Sequence, residues 1–157
     1  MTQLGYEPPL RLGAQILENA IALLIPDILN PFFAEIARGV QDEATVSGFI
    51  PILFDSMEDT QREEQFLRMF VTQPLRGIIL CGSRLASDVL LAIIAHNNLP
   101  MVIINRTLHH PNVACVRTDM EGARGARPGI CSISITRALR FFQVRSNRSS
   151  RLRGDAA

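Results

Sequence analysis

Ile21–Phe33 reads IALLIPDILNPFF, and the change of character within this stretch decides the fold. Ile21–Ile25 is an unbroken apolar run, the pattern of a short strand covered on both faces. Pro26 and Asp27 end it. Asn30-Pro31 then opens a helix, with Asn30 as N-cap and Pro31 at the first helical position, where a missing N–H costs nothing. Phe32 and Phe33 fall in the first turn. A strand that runs into a helix N-terminus, with two aromatic rings at the mouth, is the corner where an open α/β sheet sets residues beside a small ligand.

The same alternation continues downstream. The spacing predicts a helix over Pro31–Val46 that buries Phe33, Ile36, Ala37, Val40 and Ala44, and Gly48 closes it. Phe49–Phe54 is a second strand, although Pro51 argues against its full pairing. Glu58–Thr72 is a second helix with Phe66, Met69 and Phe70 inward and Glu63, Glu64 and Arg68 outward. Gly77–Leu80 is a third strand ending in the turn Cys81-Gly82-Ser83, and Ser87–His96 is a third helix with Leu90, Leu91 and Ile94 apolar. Met101–Ile104 is a fourth strand, with Asn105-Arg106 at its C-terminal end. Val113–Arg117 reads as a short edge strand, and Met120–Ala126 begins another helix. Strands and helices that alternate through short connections imply an α/β fold with a parallel, doubly wound sheet. Sites in that architecture lie at the C-terminal ends of the strands, here Pro26–Asn30, Asp55–Glu58, Cys81–Arg84 and Asn105–Thr107.

Upstream, LGYEPP at Leu4–Pro9 is turn-like. Leu10–Asn19 offers a short helix that Gly13 weakens, so residues 1–20 read as a linker. The chain has 157 residues, 47% hydrophobic and 20% charged, which fits one globular domain with a real core. No apolar run is long enough for a membrane span, and the start lacks the basic-then-apolar pattern of a secretory signal. Cys81, Cys115 and Cys131 are odd in number and not spaced as metal ligands. They read as reduced thiols, mostly small core residues, in a cytoplasmic protein. All 16 basic residues are Arg, and they are unevenly placed. Residues 1–126 hold nine Arg against 14 acidic groups, net −5, whereas residues 127–157 hold seven Arg against Asp155 alone, net +6.

Five blocks carry a resemblance: IALLIPDILNPFFAEIARGVQDEA from Ile21, TQREEQFLRMF at Thr60–Phe70, RGIILCGS at Arg76–Ser83, LPMVIINR at Leu99–Arg106 and VRTDMEGARGA at Val116–Ala126. In order and spacing the chain resembles the lactose-repressor (LacI/GalR) family of transcriptional regulators over about Ile21–Ala126. LGYEPP resembles the end of that family's helix-turn-helix headpiece. The resemblance implies a periplasmic-binding-protein-like lobe, the N-terminal half of a two-lobed effector domain, cytoplasmic and without a cofactor. It implies a small sugar or nucleobase as effector, DNA as a partner only in the intact family member, and a homodimer or a mixed dimer with a paralogue. By position it makes Phe32 and Phe33 apolar cleft walls with Asn30 beside them, Asn105 and Arg106 polar contacts, and Asp55 and Ser83 lesser ones. Residues 1–20 are expected to be a remnant of the headpiece end and hinge, without the headpiece's reading helices; Gly13 replaces part of the hinge pattern, and Met120 stands where the family usually has Asn. The expectation is an incomplete sensor with weak effector binding or none. The alternative of another class is the sugar-binding component of an uptake system, which needs an export signal.

Past Ala126 the resemblance stops, and RPGICSISITRALRFFQVRSNRSSRLRGDAA shows no coherent pattern that continues the domain. Shifting the reading frame near Arg127 permits residues that resume the family's helix and following strand. Residues 127–157 are therefore expected to be an irregular, out-of-frame tail. Its Arg content also fits phosphate binding, although only Phe141-Phe142 supplies aromatic stacking. Each candidate has a plainer role beside the functional one: Phe32 and Phe33 as core packing, Asn105 and Arg106 as a solvated strand end, Asp119 and Glu121 as helix-start acids. His96, His109 and His110 lack a third partner for a metal. No serine elbow, phosphate loop or Cys–His pair supports an enzyme.

Overall fold

In the computed structural model, which describes residues 17–95, 97–117 and 139–143, strand β1 (Ala20–Ile25) is buried at all six positions. It lies between β2 (Ile50–Asp55) and β3 (Gly77–Cys81), followed outward by β4 (Met101–Ile104) and β5 (Val113–Val116). All four pairings are parallel, in the order β2-β1-β3-β4-β5. The order reverses between β1 and β3, which makes their C-terminal ends the switch point where such sheets open a crevice.

The unbroken apolar runs have the cause expected of them: each face of the sheet is covered. On one face Ile21, Leu23, Ile25, Ile79, Cys81, Val102 and Ile104 meet Ile36, Val40 and Ala44 of helix α1 (Pro31–Val46). On the other, Ala22, Leu24, Ile78, Leu80 and Ile103 meet Leu67 and Phe70 of α2 (Thr60–Phe70) and Leu90, Ile93 and Ile94 of α3 (Ser87–Ala95). Phe54 of β2 sits 4.6 Å from the Phe70 ring and 5.4 Å from the Phe66 ring, joining the edge strand to α2. Pro51 pairs in register with Ile21 on that edge strand, where an absent N–H is tolerated.

Local chemistry sets the helix ends. Asn30 Oδ1 accepts from Phe32 N at 3.1 Å, and Asp59 Oδ1 accepts from Gln61 N at 2.8 Å. Gly48, at φ 75°, closes α1 with a Schellman turn, in which Phe49 N donates to Ala44 O at 2.9 Å and Gly48 N to Thr45 O at 3.3 Å.

Four expectations need correction. Helix α2 starts at Thr60, not Glu58, because Met57 and Glu58 adopt φ of 53° and 58° and cannot continue a right-handed turn. Within it Glu63 faces inward at 5% exposure and Met69 outward at 41%. The helical phase of Glu63, Leu67 and Phe70 outweighs the polarity of the carboxylate. Cys81 is a core residue but Cys115 is exposed. Leu139–Gln143 is helical, with Leu139 and Phe142 at 1% and 0% exposure against the α1 face of the sheet, so this stretch of the tail does join the core. Residues 10–16 of the expected first helix, the expected helix Met120–Ala126 and Cys131 lie outside the described residues. No helix among the described residues is long and apolar enough to cross a membrane.

Candidate functional site

The strand register lines up the C-terminal ends: Ile25 opposite Asp55, Cys81 opposite Ile104, and Ile104 opposite Val116. Non-glycine residues with positive φ are confined, among the described residues, to this edge: Met57, Glu58 and Asn105, the last at 64°. Gly82 adds a fourth left-handed turn at 55°. Such conformations cost of order 1–3 kcal/mol each for residues with a Cβ and gather where loops are held for function.

The two rings stand at the switch point. Phe32 and Phe33 meet edge to face with centroids 5.2 Å apart at 73°, both half-buried against the core. The Phe33 ring also lies against the β3 turn: a Cβ added at Gly82 would sit 3.4 Å from Phe33 Cε1 and Cζ and 3.1 Å from Pro26 Cγ. Each ring is therefore packed against the core on one side and partly exposed on another.

The polar candidates frame this corner. Asn30 is exposed, with its carbonyl oxygen engaged as the cap of α1. The Asp55 carboxylate accepts from Met57 N at 2.8 Å and from Ile28 N at 3.2 Å, tying the β1 and β2 loops together. Ser83 Oγ donates to Glu63 Oε1. The Arg106 guanidinium donates to Leu85 O, to Ser87 Oγ at 2.7 Å, and to Ser83 O and Oγ at 3.5 Å. Asn105 is exposed, and its N–H donates to Val116 O at 2.8 Å. The structure thus brings Ser83 and Arg106 together and links Asp55 to the β1 loop. Asn30 stands apart from those contacts, at the N-terminus of α1.

Four residues received no role in the reading of the sequence: Glu63, which it set outward, and Arg84, Glu58 and Gly82, which lie in the strand-end loops it named. Glu63 holds Ser83 and also accepts from Arg84 N at 3.2 Å. Arg84 Nη2 bridges to Glu58 Oε1 at 2.8 Å across the rim, an exposed pair of little energetic weight. Gly82 supports Phe33. The spacing of Glu63 with Leu67 and Phe70 was a usable signal for the first; the rim pair has none, since its partners lie 26 residues apart. Among the described residues no three of His, Cys, Asp and Glu come together as a metal site requires.

An edge with two rings and loops tied by hydrogen bonds has the form of a binding site. Residues 18–129 match the family described as periplasmic binding proteins and sugar binding domain of the LacI family. The chain belongs to this family. As a LacI-type lobe it is 32% identical over 121 residues to the HTH-type transcriptional repressor CytR of Escherichia coli (strain K12), covering 74% of this chain and 35% of that protein. It is 34% identical over 104 residues to the ribose operon repressor of Halalkalibacterium halodurans, covering 66% of this chain and 30% of the repressor. A periplasmic binding protein/LacI transcriptional regulator from Alkaliphilus metalliredigens QYMF, complexed with D-xylulofuranose, superposes with a TM-score of 0.55 at 25% identity, over 64% of this chain and 36% of that one. The chain spans about a third of the length of the curated relatives it matches. These two curated relatives are transcriptional repressors, not enzymes.

The capping role of Asn30 is separable from any ligand contact. Asn30→Ala is expected to lower stability by about 1 kcal/mol, read as a reduced urea midpoint by circular dichroism, and Asn30→Asp should restore it. A midpoint unchanged in the alanine variant would remove the cap from the account.

Proposed function

We propose that this lobe senses a small-molecule effector for a LacI-type transcriptional regulator, without catalysis, and that the effector is a sugar of pentose size. The observation that carries the reading is the Phe32–Phe33 pair at the switch point of a parallel sheet, on loops already fixed by Asp55, Asn30 and Arg106. Aromatic rings suit the apolar face of a furanose or pyranose, and a few placed polar groups suit its hydroxyls. The named relatives support the size: one represses a ribose operon and another carries D-xylulofuranose. In this reading Phe32, Phe33 and Asn105 touch the effector, while Asn30, Asp55, Ser83 and Arg106 keep the loops in place. DNA and a second protomer belong to the longer regulator, whose cytoplasmic setting this lobe would share.

A single lobe offers one wall of a cleft, so affinity should be low. Calorimetric titration with D-ribose is expected to give a saturable heat with Kd of about 1 mM, near −4 kcal/mol, with adenine as the competing nucleobase. Absence of saturation for either at roughly ten times that concentration would remove the sensing role. Micromolar binding would overturn the one-wall account.

For the C-terminal segment, we propose that the reading frame changes near Arg127 and that the helical turn Leu139–Gln143 packs despite it. Sequencing the gene through the codons for Met120–Ala157 tests this. A shifted frame that meets an early stop excludes it.

A further inference from the structure

We infer that Glu63 and Arg106 are positioning residues of the effector site, a two-sided clamp on the β3–α3 loop that fixes where the Phe33 ring stands. The inference rests on the reading of this corner as an effector site. A carboxylate at 5% exposure is costly in a core position, and the apolar positions beside it on α2, Leu67 and Phe70, show what packing alone would place there. Among the described residues no cation reaches it; the ion pairs are Glu64–Arg68 and Glu58–Arg84. What compensates the Glu63 carboxylate is the loop itself. Oε1 accepts from Ser83 Oγ and Oε2 from Arg84 N, and the first turn of α2 adds the favourable end of its dipole.

Arg106 closes the loop from the opposite side. Its guanidinium reaches Ser83 O and Oγ, Leu85 O and Ser87 Oγ, so one planar donor group spans the turn from Ser83 to Ser87. Ser83 stands between carboxylate and guanidinium, donating to one and facing the other. The residue before it, Gly82, is in left-handed backbone and in the path of the Phe33 ring. A loop held by a charge on each side cannot drift without leaving a buried acid or a fork of N–H groups unpartnered. The ring that leans on Gly82 inherits that position. Glu63 never touches the effector in this arrangement; it acts through Ser83, Arg84 and Gly82.

The test separates positioning from mere support of the fold. The full chain is labelled with 4-fluorophenylalanine, and Phe33→Leu, Phe54→Leu and Phe70→Leu assign those three signals among the eight phenylalanines. Glu63→Leu and Arg106→Leu are each expected to shift that signal and to speed hydrogen exchange at Arg84 N–H at least tenfold, while the Phe54 and Phe70 signals stay in place. Glu64→Gln, which touches only the exposed Glu64–Arg68 pair, should change neither. If Glu63→Leu does not fold, Glu63→Gln carries the comparison: its neutral amide offers one accepting oxygen to the two donors Arg84 N and Ser83 Oγ in place of two charged ones, so the exchange rate should still rise, by less than in Glu63→Leu. An unmoved Phe33 signal with unchanged exchange in the folded variants overturns the inference, as does an equal response to Glu64→Gln. Calorimetry with D-ribose then tells the two readings apart. If Phe33 shifts but the unsubstituted chain binds no D-ribose, the effector reading fails and the clamp stands; if that chain binds and the variants bind equally well, the clamp has no part in the site.

Discussion

Phe142→Ala is expected to destabilise the protein by about 3–5 kcal/mol, a fall in Tm on the order of 10 °C. The ring is fully buried, and it lies against the one position of β3 that has no side chain. A Cβ built on Gly77 would fall 2.5 Å from Phe142 Cδ1, a separation that real contacts do not reach. Gly77→Ala should therefore be destabilising in its own right, by about 1–3 kcal/mol, through overpacking. The double variant makes the argument specific. Once Phe142 is shortened, the new methyl at position 77 enters vacated space, and alanine in a strand costs less backbone entropy than glycine. The two changes should thus fall short of additivity by about 1–2 kcal/mol, within the range seen for residues in contact. Urea unfolding followed by far-ultraviolet circular dichroism suits a chain without tryptophan. Additive effects, or a harmless Phe142→Ala, would mean that Leu139–Gln143 does not dock on the sheet.

That stretch also shows what the sequence concealed. Leu139 and Phe142 are three apart, the spacing of one helical face, but they sit in an Arg-rich segment whose composition says solvent. Composition is an average over the segment, whereas burial is decided residue by residue. Glu63 repeats the lesson on α2, where the phase shared with Leu67 and Phe70 predicts the core and the charge predicts water. The strands were legible because an apolar run covered on both faces leaves no polar position to confuse it. Helix ends were legible wherever a cap carries them, as at Asn30 and Gly48. They were not legible at Met57–Glu58, where ordinary residues take left-handed conformations that nothing in their side chains announces. At the candidate site the structure brings the strand-end loops that the sequence singled out to one edge and gives the hydrogen-bond partners of their side chains. What the sequence could not show is what Asp55, Ser83 and Arg106 hold within the protein, because those partners (Ile28 N–H, the Glu63 carboxylate and Leu85 C=O) come from elements far apart in the chain.

Gly82→Val should be the most damaging single change at the strand-end edge, and Gly48→Val supplies its internal control. Both glycines have positive φ, at 55° and 75°, so any side chain at either costs about 1–2 kcal/mol of left-handed strain, more for a β-branched residue. Only their surroundings differ. A Cβ at Gly48 meets nothing within 4 Å, whereas at Gly82 it meets Pro26 at 3.1 Å and the Phe33 ring at 3.4 Å. Valine extends beyond that Cβ, so one of its methyls must displace either the proline or the ring. Gly48→Val should accordingly cost about 2 kcal/mol or somewhat more and leave the D-ribose affinity as it was. Gly82→Val should add a packing penalty of about 1–3 kcal/mol and weaken D-ribose binding at least tenfold, because Phe33 can no longer stand where the loop sets it. Melting curves and calorimetric titrations of both variants test the pair. Equal stability losses would mean that backbone strain alone governs Gly82. A Gly82→Val protein that keeps full affinity would show that the position of Phe33 does not matter to the effector, and the switch-point corner would lose its claim to be the site.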